Sequence, residues 1–145
     1  MREELDKKLC EKYPKIFANR HKPMTETAMC WGFDCGDGWY NILDLACSQI
    51  QSHIDWKNRF AKTEEEKISQ VIADQVKEKF GTLRFYISGG DDYIRGIISM
   101  AEAMSARTCE TCGNPGSLRG HHWYYTACDE HTKPEHLKEE DEKTD

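Results

Sequence analysis

An α+β fold is predicted by three observations. Trp39, Leu43, Ala46, Ile50 and Ile54 recur at steps of three and four, the stripe of an amphipathic helix. Leu83, Phe85 and Ile87 alternate with Thr82, Arg84, Tyr86 and Ser88, the period of a strand. Near the C-terminus stands Cys109-x2-Cys112-x15-Cys128-x2-His131, two close pairs of soft or borderline ligands. Together they predict short helices on a small antiparallel hairpin or sheet over residues 1–106. A metal-binding module follows over 107–133, and a disordered acidic tail over 134–145. At 145 residues the chain forms one small domain with a metal-stapled subdomain.

The elements follow in order. Arg2 to Lys12 reads as a short helix with Leu5, Leu9 and Tyr13 on one face. Pro14 limits it, because a proline pushes the residue before it out of the helical region. Residues 14–38, with Pro14, Pro23 and three glycines, are irregular or carry short strands. The central helix runs from Trp39 to about Trp56, with Asp37 as its expected N-cap. The charged stretch KNRFAKTEEEK (57–67) is an exposed connection. Val71–Phe80 is either the hairpin partner of the following strand or the end of a helix, and the hairpin is preferred. Gly89-Gly90 breaks the second strand, and Asp91 or Asp92 caps a further helix. Its expected buried stripe is Tyr93, Ile97, Met100 and Met104.

The C-terminal spacing lets each pair reach one ion, and the gap between pairs is long enough to fold back. Cys109, Cys112, Cys128 and His131 are the expected ligands of a structural Zn²⁺ ion. His121 and His122 lie mid-loop, whereas His131 completes the symmetrical spacing and is preferred. Gly113 supplies the positive φ of a tight knuckle. Leu118, Trp123 and Tyr125 are expected to pack a small hairpin over the ion. Cys30-x4-Cys35 with Cys47 is a loose candidate for a second metal, and buried free thiols are the better reading.

Catalytic zinc is disfavoured. Four protein ligands leave no open position, and the H-x-E ahead of P-C-x-x-C that marks zinc deaminases is absent. The loop is also too short to hold both a metal clamp and a catalytic ββα motif around His121-His122. The chain therefore reads as a non-enzyme. Two surfaces are candidates for binding a ligand or partner. Trp31 and Trp39 sit in the aromatic, glycine-rich segment CWGFDCGDGWY (30–40). Lys79, Arg84 and Tyr86, with Lys77, form a basic and aromatic strand cluster suited to a phosphate and a stacked base. Core packing and a solvated strand face are the plainer alternatives for the two.

The net charge of −6 argues against a protein that wraps nucleic acid. Much of it lies in the tail, so a local basic patch is allowed. Seven cysteines would suit a disulfide scaffold, but the number is odd, three belong to the metal pattern, and no apolar signal segment follows Met1. A reducing cytoplasm is the expected setting.

The block QVKEKFGTLRFYISGGDDYIRGIISMAEAMSARTCETCGNPG, followed by WYYTACDEH, resembles a family of small zinc-ribbon proteins of tailed phages, prophages and related bacteria. CWGFDCGDGWY resembles that family's W-G-F-x-C-x-x-G-W segment, so the resemblance covers roughly residues 25–132. It implies zinc at Cys109, Cys112, Cys128 and His131 and a phage-encoded protein acting in the bacterial cytoplasm. It implies no assigned activity. The expected function is non-enzymatic: binding and inhibiting a bacterial host or defence component, in the manner of an anti-CRISPR protein. The alternative is a nucleotide or nucleic-acid binder such as a cyclic-nucleotide sponge. Because the tail offers Leu137 as its only large apolar group, truncation after Lys133 is expected to leave the thermal midpoint nearly unchanged. A collapse on truncation, followed by circular dichroism, would show that the tail docks on the body.

Overall fold

The computed structural model describes residues 1–141, with side chains described through 137. Helix α1 (Glu3–Lys12) leads through irregular chain to the short strand β1 (Phe33–Asp34) and the long helix α2 (Tyr40–Phe60). The hairpin β2 (Ile72–Lys79) and β3 (Thr82–Ser88) follows, then α3 (Asp92–Ser105), the ribbon strands β4 (Ser117–Arg119) and β5 (Tyr125–Ala127), and α4 (Pro134–Asp141). The α+β expectation holds.

The sheet has the order β1-β2-β3, with β1 parallel and β3 antiparallel to β2. The hairpin reading of 71–80 is the observed one. Its two-residue turn, Phe80-Gly81, has both φ angles positive, at 54° and 83°, as a tight primed turn requires. The Glu78 carboxylate accepts the Gly81 N–H at 2.6 Å. Val76, Leu83 and Phe85 turn inward to a core shared with Leu9, Ile16, Phe17, Trp39, Leu43 and Ile50.

The predicted stripe of α2 is wholly buried, from Trp39 through Ile54. The helix runs on to Phe60, shortening the expected exposed connection. Asp37 does not cap it. A 3-10 turn over Asp37–Trp39 precedes α2, and the Asp37 carboxylate is drawn instead to Arg2, whose N–H donates at 2.8 Å. Helix α1 is pinned to α2 by the Tyr13 hydroxyl, 2.6 Å from Asp44 Oδ1. The irregular segment after α1 is held by Arg20, which pairs with Asp6 at 3.0 Å and donates to the Cys30 carbonyl at 2.9 Å.

Asp91 caps α3 as expected, accepting the Ile94 N–H at 3.1 Å. The buried face of α3 is not the predicted one. Ile94, Ile98, Ala101 and Ser105 face the core, while Tyr93, Met100 and Met104 are exposed and Ile97 is half-buried. The difference is one residue, about 100° of helix rotation. Its cause is the edge of the sheet. The outward N–H groups of β3 need acceptors, and α3 supplies them: Leu83 N–H donates to Ser105 Oγ at 2.8 Å and Phe85 N–H to Glu102 Oε1 at 3.0 Å. Two polar side chains thus set the helix face, where apolar residues on both stripes left the choice open.

The segment expected to be unstructured opens with helix α4, and His136 Nδ1 lies 2.7 Å from the Tyr125 hydroxyl. Residues 142–145 and the side chains from 138 lie outside the described part.

Ser105→Ala is expected to destabilise the protein by about 1–3 kcal/mol, because it strands a buried strand N–H. Urea unfolding of the metal-loaded protein checks this, and an unchanged midpoint would remove Ser105 from its edge-sealing role.

Candidate metal centre

The first ligand pair follows α3 directly. Cys109 N–H donates to the Asn114 carbonyl at 2.8 Å, and Gly113 N–H returns to the Cys109 carbonyl at 2.9 Å. That closure needs Gly113 at φ +81°, the left-handed region a glycine enters freely. The second pair follows β5. A 3-10 turn over Asp129–His131 brings His131 back, its N–H donating to the Cys128 carbonyl at 3.1 Å. Antiparallel pairing of β4 with β5 carries the second pair to the first.

The four ligand atoms lie within 4.8 Å of one another. Cys112 Sγ is 3.7 Å from Cys128 Sγ, and His131 Nδ1 is 3.6 Å from Cys109 Sγ and 3.1 Å from Cys128 Sγ. A tetrahedral ion with metal–sulfur bonds of about 2.3 Å places its sulfurs about 3.7 Å apart, so the arrangement fits one. All seven cysteines are free thiols, and among the described residues this is the group that can hold a metal. His121 and His122 stay outside it and are exposed. Cys30, Cys35 and Cys47 do not join in a second site. Burial instead pushes the Cys35 thiol up to about 12 and the Cys47 thiol up as well, which leaves both inert.

Burial also acts to raise the Cys109 thiol. Backbone N–H groups of Cys128, Cys112 and Thr111, with the Cys112 side chain, outweigh it and bring Cys109 from 9.0 down to about 6. The lowered thiol favours the thiolate that a metal bond requires. Cys109 is fully buried, whereas Cys112 and His131 are exposed, so the centre lies at the surface with one ligand rooted in the interior. Four protein ligands would complete a tetrahedron around one ion and leave no position for water.

What covers the centre differs from expectation. Leu118 and Trp123 are 48% and 76% exposed and do not pack over it. Its inner side rests on the body of the protein. Glu110 is the hinge of that contact: its carbonyl accepts the Gly38 N–H at 2.7 Å, and its carboxylate accepts the Gly36 N–H at 3.0 Å. The indole N–H of Trp39 donates to the Thr108 carbonyl at 2.9 Å. Thr126, buried, donates its hydroxyl to the Gly81 carbonyl at 2.7 Å. A Cβ on Gly38 would stand 2.0 Å from the Cys109 carbonyl oxygen. No spacing rule in the sequence points to Glu110 or Thr126.

The binding candidates separate. Trp39 is fully buried and offers no ring to a partner, because it joins the helix to the knuckle. Trp31 is 69% exposed on a 3-10 turn over Ala28–Trp31. Lys79, Arg84 and Tyr86 do share one face. The register pairs Lys77 with Arg84, Gln75 with Tyr86 and Lys79 with Thr82, all on the solvent side. Arg84 Nη1 donates to Thr82 Oγ1 at 2.6 Å and to the Leu83 carbonyl at 2.9 Å. Asp34 of β1 lies in the same row, paired with Lys77. Among the described residues no helix is long and apolar enough to cross a membrane. No protein family, curated protein or solved structure matches the chain.

Cys109→Ser is expected to abolish metal retention and to lower the thermal midpoint sharply, as loss of the ion unfolds small metal modules. Elemental analysis with a thermal scan tests it, and full metal content in the variant would refute the ligand set. Metal binding displaces thiol protons, so affinity falls as pH falls. In the metal-free chain the lowered Cys109 thiol contributes fully to folding above 9.0, and that contribution is lost by about 6. Retention of the metal at neutral pH and its release only on acidification below about 6, followed with a chromogenic chelator, is the expected result.

Proposed function

We propose that this chain is a zinc-stapled, non-enzymatic binding protein, encoded by a phage or prophage, that acts in the bacterial cytoplasm by blocking a host or defence component. The observation that carries the non-enzymatic reading is the closed ligand set. Three thiolates and one imidazole suit Zn²⁺, and with four protein donors the ion serves the fold rather than a reaction. The phage setting rests on the resemblance of residues 25–132 to phage zinc-ribbon proteins.

The recognition surface in this reading is the outer hairpin face. Arg84 presents a planar donor group, Lys77 and Lys79 add point charges, and Tyr86 is 43% exposed beside them. Cations next to a tyrosine fit an acidic partner surface, and arginine and tyrosine are enriched where interfaces gain most of their energy. The same composition favours the second reading, a nucleotide or single-stranded nucleic acid held by phosphate contacts and stacking.

Capture from bacterial lysate on the tagged, metal-loaded protein separates the two. A stoichiometric protein supports the first reading, and a co-purifying nucleotide or RNA supports the second. Arg84→Ala is expected to weaken either complex by about 1 kcal/mol or more, with metal content and thermal midpoint unchanged. Native stability with unchanged binding would remove the strand face from the site and leave the exposed Trp31 region.

A further inference from the structure

We propose that the groove between α2 and α3 is the interface of a two-fold dimer of this chain. The groove is open, holds about 510 Å³, and is walled by apolar side chains. Ile42, Ala46 and Ala101 form its buried floor, and Leu45, Tyr93, Met100 and Met104 stand along its walls at 45% to 63% exposure. Tyr93, Met100 and Met104 are the α3 residues left over when Ser105 and Glu102 turned the other stripe to the sheet. A helix layer with a bare apolar side is a layer lacking its neighbour.

Three features select a second copy as that neighbour. The first is charge. Among the groove's lining residues only Asp92 is charged, and it lies at one end with its side chain 99% exposed and paired to Arg95 at 3.0 Å. In a two-fold interface the same patch faces itself and a group near the axis meets its own copy, so a patch with no charge at its centre avoids like-charge repulsion and suits self-association. A foreign basic helix would call for an acidic rim.

The second feature is shape. An isologous patch must carry both knob and hole. Met100 and Met104 are flexible knobs beside a hollow that has room for about three benzene-sized groups, at about 150 Å³ each. Gly96 lines the same hollow. It sits inside α3 with ordinary helical backbone, and a Cβ built on it meets nothing within 4 Å. Glycine weakens a helix, and no contact within the chain calls for it here. A surface approaching from outside does.

The third is area. The four exposed wall residues present on the order of 400 Å² of apolar surface. A stable interface buries about 800 Å² per partner with a polar rim. The apolar half is thus present in the groove, and the remainder falls to the flanking polar residues of α2 and α3. Two copies would stack α2 and α3 of each into a four-helix layer.

Sedimentation equilibrium of the full, metal-loaded chain tests the proposal. Between about 1 and 100 μM the expected mass rises from 16.8 kDa to twice that value, with micromolar affinity. Met100→Glu places like charges across the axis and is expected to weaken dimerisation at least tenfold, with metal content and far-ultraviolet dichroism unchanged. Gly96→Leu fills the hollow from a position open to solvent, so the fold holds, and it is expected to weaken dimerisation similarly. If Met100→Glu fails to fold, Gly96→Leu decides alone. A wild-type chain that stays monomeric at about 100 μM overturns the proposal. So does a variant pair that dimerises like wild type, or a monomer that uses this face to hold a different protein.

Discussion

The contact on which the rest of the structure depends is the seat of the metal knuckle on the Gly36–Trp39 turn. Two backbone segments meet there at a separation only glycine permits, since any Cβ on Gly38 would overlap the Cys109 carbonyl. The Gly38 N–H and the Trp39 indole N–H both donate to carbonyls of the chain entering the knuckle. Trp39 is also the first residue of the buried stripe of α2. One side chain therefore connects the ion's scaffold to the longest helix, and α2 lacks a side-chain N-cap of its own. The boundary drawn at 106/107 from sequence follows the chain, yet backbone hydrogen bonds cross it at several points.

This arrangement would make a bound ion more than a staple for a short ribbon. Metal binding in isolated zinc modules contributes on the order of 10 kcal/mol to folding, comparable with the whole stability of a small domain. Here that free energy would act on Cys109, whose neighbours Thr108 and Glu110 hold the turn before α2, while Thr126 of the ribbon holds the hairpin tip through Gly81. The hairpin tip also carries Phe80 at a positive φ, a conformation that costs a non-glycine residue about 1–2 kcal/mol. Gly81 at the second turn position could not be replaced without meeting Leu118 and the Tyr125 backbone. The tip is thus docked on the ribbon.

What the sequence made legible was local in origin. The alternation at 82–88, the stripe of α2, the Asp91 cap and the spacing within each ligand pair depend on residues a few positions apart, and each is found in the structure. What it hid depends on partners far along the chain. Asp37 looked like a cap until Arg2 drew it away. Met100 and Met104 looked buried because apolar residues occupy two faces of α3. The choice between those faces was made by Ser105 and Glu102 sealing β3, a contact with no periodic signature. Trp39 looked like a binding residue because its glycine-rich setting resembles a pocket, whereas the glycines make room for the knuckle. Of the candidate site, the Cys/His cluster was readable from its spacing, and the strand face only as a list whose shared side the register later supplied.

The same alternation that built the hairpin separates the two candidate surfaces. Leu83 and Phe85 turn to the helices, so Arg84 and Tyr86 turn away from them. The α2–α3 groove lies on the helix side, on a stripe of α3 rotated about 100° from the one that meets the sheet. A dimer formed through the groove leaves both strand faces uncovered. Two identical basic faces on one such dimer would bind a repetitive or symmetric target with an avidity neither has alone, provided the spacing fits. Metal, sheet and helix face are then successive layers of one dependence. The Cys/His knuckle seats the turn that starts α2, and the ribbon beside it fixes the tip that holds the hairpin. The hairpin edge turns α3, and the turning of α3 is what leaves its methionines outside.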